Sequence, residues 1–233
     1  ILVQLPRRGP TGETNDPDAS KRNLLYQRVR ETQRAMARGA LDASGDVTPQ
    51  AEAGRHLVVT HDLPLHPGDG RHLAATAQLE LGRRVALAVR DHLLGEGVDG
   101  SGPQLQRVEK VSNTLVRVHT DRAVAPPGTS GPDAYSGYFR LFSGGAAVPV
   151  TFIERDPVDT RVIRLGIAAT PGAVEVRYMP PPAPLNEVAL DVVRSATCTE
   201  PMPGTSACLP MAAFGAAVTE ATLTALRLLY LGD

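Results

Sequence analysis

The hydrophobic period of this chain changes once, at Gly95-Glu96-Gly97-Val98-Asp99-Gly100-Ser101-Gly102-Pro103, and the change limits what each side can fold into. Before it, short apolar runs alternate with helical stripes. Residues 1–5 (Ile1-Leu2-Val3-Gln4-Leu5) form an apolar run ended by Pro6 and read as a buried strand. Over residues 23–38 the apolar positions Leu25, Val29 and Met36 share one helical face, with Arg28, Arg30, Glu31 and Arg34 on the other and Gly39 as a stop. Residues 56–60 (His56-Leu57-Val58-Val59-Thr60) read as a second buried strand. Residues 73–94 read as a long helix with the stripe Leu81, Val85, Ala88, Val89 and Leu93, closed by Gly95. Strand, helix, strand, loop, helix is the rhythm of an open α/β sheet. Two strands are too few for such a sheet to stand alone, so further strands are expected from upstream or from another chain.

After Pro103 the period becomes two. Val116 and Val118 alternate with Arg117 and His119, and Ile163, Leu165 and Ile167 alternate with polar or small residues. Val174, Val176 and Tyr178 alternate with Glu175 and Arg177. Residues 138–142 and 148–153 flank a Ser143-Gly144-Gly145 turn. The pattern predicts an antiparallel β module over about residues 104–180, ended by Pro180-Pro181-Pro182. The apolar tail, residues 211–231, reads as a packed helix. Glu220 and Arg227 fall inside it, so a membrane span is not expected.

Lys+Arg 24 against Asp+Glu 25 gives a net charge of -1, which removes the electrostatic footprint of a nucleic-acid binder or a membrane-surface protein. Cys198 and Cys208 lie ten apart across Glu200-Pro201-Met202-Pro203-Gly204. A zinc site needs more ligands at closer spacing. The two readings left are a short-loop disulfide, which implies a secreted or lumenal compartment, and two unrelated buried thiols. The first residues carry no initiator Met, basic n-region or cleavage motif, as expected of a processed or partial product.

Ionisable side chains are densest in His61-Asp62-Leu63-Pro64-Leu65-His66-Pro67-Gly68-Asp69-Gly70-Arg71-His72, just after a predicted parallel strand, where open α/β sheets place their sites. The D-x-x-H spacing of Asp69 and His72 lets a carboxylate orient one imidazole nitrogen while the other faces a nucleophile. The plainer alternative is Asp69 as a helix N-terminal charge and His72 as a solvated side chain. A metal held by His61, His66 and His72 with Asp62 and Asp69 fits no common ligand spacing. His92 and His119 read as packed or surface residues. Arg83 and Arg84, which diverge by about 100° on a helix, read as salt-bridge or packing residues.

Three blocks together resemble the sialate O-acetylesterase type of carbohydrate acetylesterase in the SGNH hydrolase superfamily. They are Asp62-Leu63-Pro64-Leu65, Asp69-Gly70-Arg71-His72-Leu73 and Leu81-Gly82-Arg83-Arg84-Val85-Ala86. Val29-Arg30-Glu31-Thr32-Gln33, Gly102-Pro103, Val176-Arg177-Tyr178 and Leu209-Pro210-Met211-Ala212-Ala213-Phe214 extend the resemblance over nearly the whole chain. It implies the second half of an SGNH-type, flavodoxin-like parallel sheet (residues 1–100), then an antiparallel β module (101–184), then a loop with the cysteine pair and an apolar C-terminal helix (185–233). It implies His72 as general base and Asp69 as its orienting carboxylate, with no cofactor and an O-acetylated sugar or glycan as substrate. The family's serine and oxyanion donors lie in blocks before the first strand, and no such block is present in this sequence. Ser101, Ser130 and Ser206 fall after the histidine in Gly/Pro-rich loops and read as turn residues. The expected partner is therefore the chain's own N-terminal half, or another polypeptide that completes the sheet and brings the nucleophile. The alternative is a non-catalytic relative serving as a structural or interaction subunit.

Overall fold

The computed structural model describes residues 1–4, 19–40, 46–48, 54–66, 72–125, 139–178, 194–198, 208–211 and 214–219. Two short strands, β1 (Leu2–Val3) and β2 (Leu57–Val58), pair in parallel with Leu2 opposite Leu57 and Val3 opposite Val58. Helix α1 (Ala19–Arg38) packs on β2, as does α2 (Ala75–His92). Among the described residues this is the whole parallel sheet, so the expected half of a flavodoxin-like sheet is corrected to a single two-stranded pair.

The period-2 half folds as its alternation dictates. β3 (Leu105–Ser112), β4 (Leu115–Thr120), β8 (Val150–Arg155) and β9 (Val162–Ile167) form an antiparallel sheet in the order β3-β4-β9-β8. β6 (Phe139–Ser143), β7 (Ala146–Val148), β10 (Val174–Tyr178) and β12 (Phe214–Val218) form a second, in the order β12-β10-β6-β7. Their inward residues share one core: Val108, Val116, Val118, Ile163 and Leu165 from one sheet meet Phe139, Leu141, Val174, Val176 and Tyr178 from the other. The β6–β7 turn uses Gly144 and Gly145 at φ 56° and 84°, a left-handed pair that glycine adopts without steric cost. A further small pair, β5 (Val124–Ala125) with β11 (Arg194–Ser195), lies beside them.

Two further expectations are corrected. The tail expected to be helical from residue 211 instead supplies β12, antiparallel to β10 with Tyr178 opposite Phe214; residues 220–233 lie outside the described part. An apolar run satisfies either period, and β10 offers its edge to this one. On α1 the faces are reversed. Arg30 and Arg34 are buried, whereas Val29 and Met36 are 45% and 40% exposed. The buried side of the helix carries Arg30 and Arg34 beside Ala37, which packs on Leu57 and Val59. Among the described residues no helix is long and apolar enough to cross a membrane.

Candidate functional site

Parallel pairing brings the segments that follow β1 and β2 side by side. Thr60 Oγ1 donates to the Gln4 carbonyl at 2.5 Å, Gln4 Nε2 donates to the Arg30 carbonyl at 3.4 Å, and the His61 Nδ1 faces Gln4 Oε1 at 3.3 Å. Gln4, Thr60, His61 and Asp62 are all fully buried. Burial pushes the His61 imidazole down to about 3 against the opposing pull of Asp62, so the ring is neutral. Its Nε2 meets no hydrogen-bond partner among the described residues, and its ring lies edge-on to Tyr178 of β10, centroids 6.0 Å apart.

Asp62 is the electrostatic centre. Arg84 of α2 clamps it bidentately, Nη1 to Oδ1 at 2.7 Å and Nη2 to Oδ2 at 2.8 Å, and Arg194 Nη2 reaches Oδ2 at 2.8 Å. Burial alone would raise the Asp62 carboxyl. The guanidinium of Arg84, then that of Arg194, outweighs it and holds the group well below the usual carboxylate range. Arg84 is itself 1% exposed and completes its donors on the Val59 carbonyl (2.7 Å) and Glu80 Oε1 (2.8 Å). Arg83 takes the same Glu80 through Nε and Nη2. The two arginines expected to diverge thus converge on one carboxylate, because i+3 and i+4 both neighbour position i on a helix.

The turn that follows is set by this anchor. Leu63 N donates to the Thr60 carbonyl at 3.0 Å, and Leu63 packs against Ala74 and Ala77. Ala74 N donates to the Pro64 carbonyl, Leu65 bridges Leu73, and His66 N donates to the His72 carbonyl at 2.8 Å. His72 is consequently fixed by its backbone beside the ends of the parallel strands, with an exposed side chain. Asp69 lies outside the described residues, and so does the geometry of the expected Asp69–His72 pair. Asp62 is committed to arginines and is no proton acceptor; His61 is sealed from solvent. Of the described members of the segment with expected chemistry, His66 and His72 are the two with exposed side chains, joined to each other by one backbone hydrogen bond.

Cys198 and Cys208 are joined in a disulfide, Cα atoms 5.6 Å apart. Ser130 and Ser206 lie outside the described residues. Ser101 makes contacts that no local pattern signals: its Oγ accepts from Arg38 Nη2 at 2.6 Å and meets His92 Nε2 at 2.9 Å, while the His92 ring stacks on His56 at 3.6 Å. Ser101 is 5% exposed, and the same His92 nitrogen lies 3.4 Å from Asp91 Oδ2, so the carboxylate does not stand behind the ring as a triad requires. This cluster ties the C-terminal ends of α1 and α2 to the linker into β3.

No protein-family model and no curated protein matches the chain. Among solved structures it is similar to a carbohydrate acetylesterase from Xanthomonas citri, at TM-score 0.47 and 21% identity over 69% of this chain and 32% of that one. It is also similar to the N-terminal part of a bacterial S-layer protein, at TM-score 0.34 and 9% identity over 64% of this chain and 29% of that one. The chain spans about a third of the length of either neighbour. At these TM-scores neither overlay carries a functional argument.

Proposed function

We propose that this chain supplies the histidine part of a carbohydrate O-acetylesterase of the sialate O-acetylesterase type, acting on acetyl esters of a sugar or glycan. The observation that carries the reading is the buried clamp of Asp62 by Arg84, with the His66–His72 backbone bond that follows it. Residues from the three blocks of the sequence resemblance thereby meet at one place, beside the C-terminal ends of two parallel strands, where such sites are built. In this reading His72 takes the proton of a serine hydroxyl as the oxygen attacks the acetyl carbonyl. It returns that proton to the departing sugar oxygen, and a water then releases acetate by the same route. Asp69 orients the ring. The serine and oxyanion donors come from the chain's own N-terminal half or from another polypeptide.

A specific observation keeps the structural-subunit reading beside it. Ile1 and Val3 are 46% and 40% exposed, and Gln33 Nε2 of α1 donates to the Val3 carbonyl at 3.0 Å, which puts the exposed Val29–Met36 side of the helix next to β1. An apolar strip beside a strand edge suits a second polypeptide whether or not chemistry follows.

The test is hydrolysis of an acetylated sugar by the 233-residue chain alone and assembled with the polypeptide that carries a G-x-S block. The expected result is activity of the assembly alone, falling about 10³-fold or more in His72→Ala. Full activity of the isolated chain overturns the missing-nucleophile reading, and an inactive assembly hands the chain to the structural alternative.

A further inference from the structure

We infer that Arg194 is a positioning residue for the His72 turn, held in place by the Cys198–Cys208 disulfide. A catalytic role for that turn rests on the esterase reading; the coupling does not.

Arg194 lies outside every block of the sequence resemblance, 132 positions from Asp62, yet its guanidinium is buried against it. Its backbone is held on one side by β5, where Arg194 pairs with Ala125, and on the other by a bridge to Pro210 and the Ser195 N bond to the Leu209 carbonyl at 3.2 Å. Its side chain is aimed by the Cys208 carbonyl, which accepts from Nη1 at 2.9 Å, leaving Nη2 to reach Asp62. The residue that aims Arg194 is therefore one end of the disulfide. Asp62 in turn opens the Thr60–His66 turn whose last amide holds the His72 carbonyl.

Arg84 already pairs Asp62 through both oxygens. What Arg194 adds is a second direction of restraint. One bidentate partner leaves a carboxylate free to rock about the shared plane, whereas two guanidiniums approaching Oδ2 from different elements remove that freedom. Cys198 is half-buried and Cys208 buried, so a reductant approaches from the Cys198 side. A dithiol reductant gives two electrons and two protons to the bridge, leaving two thiols and its own disulfide. The Cys208 carbonyl then loses its covalent tie to residue 198, and the aim of Arg194 loosens with it.

The experiment uses the full chain, oxidised or reduced with dithiothreitol, in wild type, Arg194→Met and Arg194→Lys. Amide exchange is followed at Leu63, His66 and Ala74, with Val118 and Leu165 as reference amides in the β-sandwich. We expect Arg194→Met and reduction each to speed exchange at the three turn amides about tenfold or more, with the reference amides changing less than about twofold. Arg194→Lys is expected to fall between wild type and Arg194→Met at the turn amides. Reduction of Arg194→Met adds little, since both changes cut one link. Unchanged turn amides in Arg194→Met, equal change at all amides, or a reduction effect undiminished in Arg194→Met each overturns the inference. Should Arg194→Met not fold, Arg194→Lys and reduced wild type decide it by the same amides. None of these readouts needs hydrolysis, so an inactive assembly would end the esterase reading and leave the coupling standing.

Discussion

A histidine and an aspartate adjacent in sequence carry opposite instructions here. Asp62 is buried as an ion and His61 as a neutral ring, and the difference is their partners: two guanidiniums against a single Gln4 amide. Removing one partner of a buried ion pair strands the other, at about 3–5 kcal/mol. Arg84→Met leaves Asp62 with Arg194 alone and should lower the urea-unfolding free energy by up to about that amount, and Arg84→Met with Asp62→Leu by less than the single change. His61 sets the acid limb of stability. Its folded pKa of about 3 lies below the ordinary 6.5, so as pH falls the unfolded chain takes up the proton first. Stability is thus complete above about pH 6.5 and is lost progressively towards pH 3, by about 3–5 kcal/mol. His56 and His92, both lowered chiefly by burial, act with the same sign over the upper part of that window. Urea midpoints measured from pH 7 to pH 4 should fall steeply in wild type and clearly less in His61→Gln; equal slopes would show that His61 protonates without cost.

At the scale of elements, what could be read from the sequence depended on whether local period and tertiary partner agreed. Val116 and Val118, Ile163 to Ile167 and Val174 to Tyr178 alternate because one face meets a core, and each became a strand in that register. β12 was not legible: Phe214-Gly215-Ala216-Ala217-Val218 carries no period, and pairing with β10 decided its state. The inverted face of α1 was not legible either, since burying arginines over Gln4 and His61 is a property of the layer beneath. Of the buried clamp, a salt-bridge or packing role for Arg84 was legible, but its partner Asp62 was not, and neither was Arg194, because nothing local points it at Asp62. The linker also hides a contact that only glycine permits. A Cβ on Gly102 would sit 1.9 Å from the Pro210 carbonyl oxygen. Backbone would have to move, so Gly102→Ala is expected to cost about 2 kcal/mol or more. Gly97→Ala, where added atoms meet open space but φ is 66°, should cost less, about 1 kcal/mol. Thermal unfolding of the two variants side by side checks the order.

For the whole molecule, the two halves differ in how complete they are. The β-sandwich closes its own core, with inward residues from two four-stranded sheets meeting each other. Among the described residues the cluster around the parallel pair is smaller: Ala37, Leu57 and Val59 with Leu2 partly buried, while Ile1, Val3, Val29 and Met36 are exposed. Parallel strands are stable when both faces and both edges are covered, and two strands of two residues each bury little by themselves. The buried clamp of Asp62 to Arg84 and Arg194 compensates by bolting β2 to α2 and to β11 through charge rather than through apolar area. A polypeptide laid along β1 would cover the apolar strip and, in the esterase reading, arrive at the end of the sheet where His72 is presented. Val29→Asp with Met36→Lys places a charge of each sign on that strip and touches no buried residue. Surface changes of this kind shift stability by about 0.5 kcal/mol or less, so the double variant should melt with the wild type. Its binding to the polypeptide carrying the G-x-S block, measured by sedimentation with acetyl-ester hydrolysis alongside, should weaken by about tenfold or more, since each buried apolar side chain is worth about 1.5–3 kcal/mol. Binding and hydrolysis that survive unchanged would place the partner on another face and leave the strip beside β1 without a role in assembly.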